Sequence, residues 1–409
     1  RDSRQRPANG VDRAARAVDA ADMTGRRGLV AILLGAVLAL LAAVPTAGTG
    51  NAAAAFPRID ATAFRLVSGS TFETYGGRIT ALESDPRLAP VPLATVLDTA
   101  NRQGRDLCHP TYLDAALAPK GFCWQAGEDD DSNTWVPQGL TGSGDAPQAG
   151  TVDGRRVVVA SWHYQDDEFI RLSFVDLATR RYRHVLLVEP TSDDDFAAIP
   201  GHGHGVLWYG DRLIVATSGA VLRVFDLRHV WAMDTSSGEV GMGSDGAWHA
   251  RWHAFALPQI GAFWYEGGGC ANGTGTKPCF ASLGLDRSGT HSFVAVEHNV
   301  RGGGRIVRWP LDSATRLPRR DGDGDVRAVE AFASPVWGMQ GATAYDGHFV
   351  ISGVCPWYAD RIGDGVDYPS CLHHGVGGVS TQAWTEAPKN TQNLSYWPAT
   401  GELWLVGEQ

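Results

Sequence analysis

From about residue 133 onward, apolar and polar residues alternate with a period of two, and helical periodicity is nearly absent. Arg155 to Trp162 (RRVVVASW) and Phe169 to Leu177 (FIRLSFVDL) each read as a strand. Val206–Tyr209, the turn Gly210-Asp211 and Arg212–Thr217 read as a hairpin, and the strand Ala220–Leu227 follows. The hairpin pattern returns at Ala342–Tyr345, Asp346-Gly347, His348–Gly353, and again at Leu394–Trp397, Pro398–Gly401, Glu402–Val406. Asp-Gly and Gly-Asp pairs between such runs are hairpin turn signals.

The hairpins phase a weak internal repeat. The residues entering each first strand are Pro137-Gln138-Gly139, Gly203-His204-Gly205, Gln259-Ile260-Gly261, Met339-Gln340-Gly341 and Thr391-Gln392-Asn393. Their spacings are 66, 56, 80 and 52 residues, so inserts must interrupt the units. The pattern resembles an all-β fold of the β-propeller type with five blades over residues 133–409. The resemblance is one of architecture, because neither a WD series nor a kelch signature is present. It implies that the segment around Phe64–Thr80 returns to close the ring, unless the chain given is truncated after Gln409. A β-sandwich with long loops explains the phased hairpins less well.

Residues 56–132 read as an N-terminal elaboration with one helix at about Pro92 to Arg102. Residues 23–55 have the order of a secretory signal peptide: Arg26-Arg27, the apolar run Leu29 to Val44, then small residues ending Ala53-Ala54-Ala55. Residues 1–22 precede a plausible start at Met23 and are set aside as a leader or upstream segment. The expectation is a secreted, extracellular monomer with no membrane association once the signal is cleaved. The six cysteines fall into close pairs, Cys108/Cys123, Cys270/Cys279 and Cys355/Cys371, each bracketing a Gly- or Pro-rich insert. Pairing by proximity is one of 15 possible connectivities and agrees with export. Zinc-type Cys-x2–4-Cys spacing is absent.

The formal net charge is −10, and without residues 1–55, which carry seven Arg and four Asp, it is −13. Such a chain lacks the basic face that nucleic acid requires. No G-x-S-x-G elbow in a strand–turn–helix context and no phosphate-binding Gly-Lys-Ser/Thr loop appears.

In the propeller reading, Gln138, His204, Ile260, Gln340 and Gln392 ring one mouth of the channel, where amide side chains suit a polar ligand such as an oligosaccharide. Trp135 and Trp337 would supply stacking surfaces; most of the other tryptophans, among them Trp162, Trp208, Trp264, Trp357 and Trp397, are as well explained by packing. The string Gly201-His202-Gly203-His204-Gly205 is a candidate site for a divalent metal if the glycines bring His202 and His204 together, with His163, His298, His373 and His374 as further donors. Glycoside cleavage needs two carboxylates. Glu266, after an aromatic run, and Glu297, beside His298, are the catalytic candidates, with Asp145, Asp166, Asp167 and Asp346 also near presumed inner strands. The runs Glu128–Asp131 and Asp193–Asp195 and the alternating Asp321, Asp323 and Asp325 read as solvated acidic turns. Three functions are compatible with these features: binding of a carbohydrate-like ligand at the mouth, a hydrolase or lyase acting on polysaccharide, and a non-catalytic scaffold whose disulfide loops contact a partner.

Overall fold

The computed structural model describes residues 14–19, 52–127, 129–132, 134–146 and 150–408. The apolar run at 29–44, expected above to be part of a signal peptide, lies outside the described residues. The chain is all-β, 47% strand and 9% helix, with three disulfides. None of the described helices is long and apolar enough to cross a membrane.

Alternating residues put one face of each strand into a core, and short turns make successive strands antiparallel. The strands Trp135–Gly142, Val157–Tyr164, Ile170–Asp176 and Arg181–Pro190 form the first such unit. Gly203–Tyr209, Arg212–Thr217, Val221–Asp226 and Phe255–Tyr265 form the second. Phe280–Asp286, Ser292–Glu297, Gly303–Pro310 and Glu330–Trp337 form the third. Gly341–Tyr345, His348–Val354, Ser370–Val376 and Ser380–Ala387 form the fourth. The fifth joins Thr391–Trp397 and Glu402–Gly407 to Ala14–Asp19 and then Pro119–Cys123.

The first strands touch one another in chain order. Thr141 Oγ1 accepts from Trp208 N at 3.1 Å, linking the first unit to the second. Gly205 lies so close to the third unit that a Cβ would stand 2.6 Å from Leu283 N, which only glycine avoids. Ser282 Oγ accepts from Ala342 N at 3.3 Å, and a Cβ on Gly341 would collide with Gln392 O, so the fourth unit's first strand meets the fifth's. Asn393 Nδ2 then donates to Leu140 O at 2.6 Å, so the fifth unit meets the first. The same fully buried amide reaches Val206 O at 3.3 Å and accepts from Leu283 N at 3.2 Å. One side chain thus serves three strands. Asn393→Ala strands these groups in a dry interior and is expected to cost about 2–3 kcal/mol. Denaturant unfolding of the variant checks this, with a lowered midpoint and an unchanged slope as the expected result.

The structure differs from the sequence reading at several points. The third unit starts at Phe280, and Gln259, Ile260 and Gly261 belong to the outer strand of the second unit, so Ile260 is not among the first-strand residues. The cause is the long excursion over residues 227–254, which delays that outer strand; Gly261 is needed there because Phe72 packs directly on it. Phe64–Thr80 does not supply closing strands. Arg65–Val67 adds to the outer strand of the second unit, and Thr71–Leu82 is a helix that buries Ile79 and Leu82. That helix contains Gly76-Gly77, so packing and not propensity holds it. The expected helix at 92–102 is shorter, Leu93–Asp98, and Arg102–Gln103 instead pairs with Arg181–Pro190. Residues 1–22, set aside above, contribute the strand Ala14–Asp19 to the fifth sheet. The rest of the N-terminal elaboration runs along the outer edges: Ala54–Ala55 pairs with the fourth unit and Arg58–Ile59 with the third, and Phe56 between them is fully buried.

All three disulfides join the close pairs, Cys108–Cys123, Cys270–Cys279 and Cys355–Cys371.

Candidate functional site

The first strands begin on one side of the molecule and carry Gln138, His204 and Gln392 there. Gln138 and Gln392 are buried, and both amides donate to one carboxylate: Gln138 Nε2 to Glu408 Oε1 at 2.8 Å, Gln392 Nε2 to Glu408 Oε2 at 3.2 Å. Gln340 is half-buried, and its backbone N–H donates to Ser352 O at 3.2 Å. No motif in the sequence singles out Glu408.

Beside this group stands a histidine cluster. His163 is the penultimate residue of the second strand of the first unit, and Asp167 sits in the following turn at φ +57°. His202 enters the second unit after Gly201, whose N–H donates to Asp167 O at 2.6 Å. This backbone bond docks the His-Gly-His segment onto the Asp167 turn. Asp167 Oδ1 then lies 2.8 Å from Nδ1 of both His163 and His202. It has good hydrogen-bond geometry with neither, although His202 Nδ1 also meets Asp167 Oδ2 at 2.9 Å. The His163 and His202 rings stack at 3.7 Å, and His204 stacks on His202 at 5.1 Å. The ligand atoms of His163, Asp167 and His202 all fall within 4.8 Å of one another.

Burial, and then the neighbouring His202, lowers the His163 pKa below its ordinary value. Burial, then His202 and His163, lowers His204 to about 4. Neutral imidazole is the metal-ligating form. His298, lowered by burial, faces Met339 O at 3.3 Å. His373 and His374 lie away from the cluster on the third strand of the fourth unit, where His373 Nε2 faces Val354 O at 3.0 Å.

The catalytic candidates are held by different partners. Glu297 is buried and fully engaged: its Oε2 accepts from Arg305 Nε at 2.7 Å and Arg305 N at 2.9 Å, its Oε1 from Arg305 Nη2 at 2.6 Å and Gly273 N at 2.5 Å. It fastens the Cys270–Cys279 loop to the third unit. Glu266 is exposed and pairs with Arg65 at 3.2 Å. The two carboxylates share no partner. Asp145, by contrast, is buried at the other end of the first strand, where it accepts from Thr141 and Ser395, and burial raises its pKa to about 6. Of the tryptophans, Trp162, Trp208 and Trp397 are fully buried packing residues. Trp337 is half-buried at the end of the outer strand of the third unit. In the third disulfide loop, Trp357 Nε1 and Tyr358 OH both donate to Glu386 Oε1 at 3.1 Å, which ties the loop to its own sheet.

The acidic run Glu128–Asp131 is not a solvated turn: Asp129 and Asp130 are fully buried, and Glu128 lies outside the described residues. Asp129 receives Arg171 Nη2 at 2.7 Å, Tyr182 OH at 2.7 Å and His184 Nε2 at 3.1 Å. His184 Nδ1 in turn meets Ser173 Oγ at 2.9 Å. This Ser-His-Asp series resembles a nucleophilic triad in its partners only. Ser173 is fully buried and its oxygen accepts from Trp162 Nε1 at 2.7 Å, so no substrate reaches it. The series is a core network. By contrast, Asp321 and Asp323 do form a surface turn, clasped by Arg327, while Asp325 is buried against Arg65.

Compared with known proteins, the chain matches no family model and no curated protein.

Proposed function

We propose that the protein is an exported five-bladed β-propeller that holds a divalent transition metal at one mouth and there receives a hydroxyl-rich ligand of the carbohydrate class. The blade reading is supported by four consecutive four-stranded units and a fifth built beyond residue 55 on Thr391–Trp397, Glu402–Gly407 and Pro119–Cys123; the first strands touch in cyclic order. Export is supported by the Arg26-Arg27 and Leu29–Val44 pattern and by the three disulfides. Cleavage before Phe56 would remove Ala14–Asp19 and leave Pro119–Cys123 as the strand available to Glu402–Gly407.

The observation that carries the proposal is the convergence of His163, Asp167 and His202. Two imidazoles and one carboxylate suit zinc and its neighbours, and three protein ligands leave a position open for a ligand oxygen. Sugar hydroxyls both coordinate a metal and bond to a carboxylate such as that of the half-buried Glu408, which Gln138 and Gln392 hold in place.

The test is calorimetric titration of zinc and manganese into chelator-treated protein, followed by a neutral oligosaccharide panel with and without metal. One metal equivalent, with affinity weakened at least ~100-fold in both His202→Ala and Asp167→Asn, is the expected result. Saccharide binding is expected to require the metal. Metal affinity unchanged in both variants overturns the metal site, and saccharide binding equal without metal overturns its role.

A further inference from the structure

A cavity of about 500 Å³ opens between the first unit and the residue 251–254 turn of the second. Its walls carry four guanidinium groups, from Arg102, Arg171, Arg183 and Arg251, together with the rings of Trp135 and Trp252. Among the described residues, no carboxylate lines it. In a chain of net charge −10 this is an exception to the prevailing sign.

Arg102 and Arg171 both pair with the buried Asp129 carboxylate behind the wall, whereas Arg183 and Arg251 are positioned by a neutral carbonyl and by rings. Arg171 is 3% exposed and stacks on the Trp135 ring at 4.1 Å. One of its nitrogens donates to Asp129 behind the wall, and its buried Nε has no hydrogen-bond partner among the described residues. Arg183 donates to the neutral carbonyl of Thr99 at 3.0 Å, and burial together with the Arg102 charge lowers its pKa. Arg251 stacks on Phe169 at 3.9 Å and Tyr164 at 4.6 Å. Guanidinium groups gathered on one cavity repel, and an oxyanion relieves that repulsion.

The turn that presents Arg251 and Trp252 is strained. They are consecutive non-glycine residues at φ +49° and +60°. Their N–H groups donate to Glu239 O at 2.9 Å and Ser237 O at 3.0 Å, which holds the conformation. The consequence is an indole left 60% exposed at the cavity rim. Left-handed backbone at bulky residues is unfavourable and concentrates at ligand clamps.

We propose that this cavity binds an acidic saccharide, its carboxylate or sulfate held by Arg183 and Arg251 and its ring face stacked on Trp252. A guanidinium fork matches a planar oxyanion in two parallel bonds, and an exposed indole offers the flat apolar face that a sugar ring covers. The site is distinct from the histidine cluster and does not depend on a metal.

The experiment titrates the full chain, with chelator present, against glucuronic acid oligomers, a sulfated disaccharide, neutral glucose oligomers and inorganic sulfate. Binding of at least one acidic saccharide, at least ~100-fold tighter than the neutral oligomer and weakened by added salt, is expected. The double variant Arg183→Gln/Arg251→Gln should lose at least ~100-fold and Trp252→Ala about 10-fold, while His202→Ala binds as the parent does. Circular dichroism and the thermal midpoint confirm that each variant is folded; Trp252→Ala, at an exposed position, keeps the test usable if the double variant is not. Equal binding of the neutral oligomer, equal binding of inorganic sulfate, unchanged affinity in the folded variants, or no binding of either acidic saccharide at millimolar concentration overturns the proposal.

Discussion

Asp129→Ala is expected to destabilise the fold by about 3–5 kcal/mol, enough to abolish it at moderate temperature if the total is near the lower end of the usual ~5–15 kcal/mol. The carboxylate is fully buried, and burial alone would raise its pKa. The neighbouring His184, Arg171 and Arg102 outweigh that and hold it well below the ordinary carboxylate range. Removing it leaves the Arg171 guanidinium 3% exposed and unpaired, wedged between Trp135 at 4.1 Å and Trp162 at 5.0 Å. It also strands the Tyr182 hydroxyl and the His184 imidazole, which lose 2.7 Å and 3.1 Å partners. The cost comes from the orphaned cation more than from the lost pair, so the double variant Asp129→Ala/Arg171→Met is expected to recover more than half of it. Guanidinium chloride unfolding of the parent chain and the two variants measures both figures. A single-variant loss below about 1 kcal/mol would show that water or rearrangement reaches Arg171.

This network marks where the sequence was least legible. An acidic run beside glycine has the composition of a solvated loop, and nothing local says that a distant Arg171, Tyr182 and His184 converge on it. The four cavity arginines, at 102, 171, 183 and 251, are likewise scattered along the chain and carry no motif. Strands were legible because a half-buried sheet imposes a period of two on its own residues. Disulfide partners were legible because 9 to 16 residues separate them, and the loops are local. Long-range strand pairing was not: the sequence around Ala14–Asp19 has poor strand propensity, and its place between Glu402–Gly407 and Pro119–Cys123 depends on partners far away along the chain. The histidine site falls between these cases. His202 and His204 stand out in a Gly-His-Gly-His-Gly string and His163 was a named further donor, yet the residue that joins His163 to His202 is Asp167, one carboxylate among several until the Gly201–Asp167 backbone bond is seen.

Acid is expected to unfold the protein between about pH 6.5 and 4, and buried neutral histidines set that window. Burial lowers His184 to about 4, His253 to about 3 and His373 to about 4; the Arg171 charge adds to the effect at His184 and His253, and His374 adds to it at His373. A histidine with a depressed folded value stabilises the fold above its unfolded value of about 6.5, and that contribution is lost as pH falls through the folded value. Each of the three is worth on the order of 3 kcal/mol when fully lost. Asp145 acts in the opposite sense. Its folded value of about 6 lies above the unfolded one, so acidification from about pH 6 to 4 returns about 3 kcal/mol. The balance is a net loss of roughly 6 kcal/mol, comparable with the whole stability of a domain. Unfolding midpoints measured at about pH 7.5, 6, 5 and 4 are expected to fall steeply below about 6, with proton uptake on unfolding. Asp145→Asn steepens the acid limb by removing the opposing group. His373→Gln, which keeps a donor for Val354 O, flattens it. A midpoint that stays level from about pH 7 to 4.5 in the parent chain would mean that the buried His184 and His373 and the half-buried His253 reach water in the folded state, and desolvation could not then be what keeps them neutral.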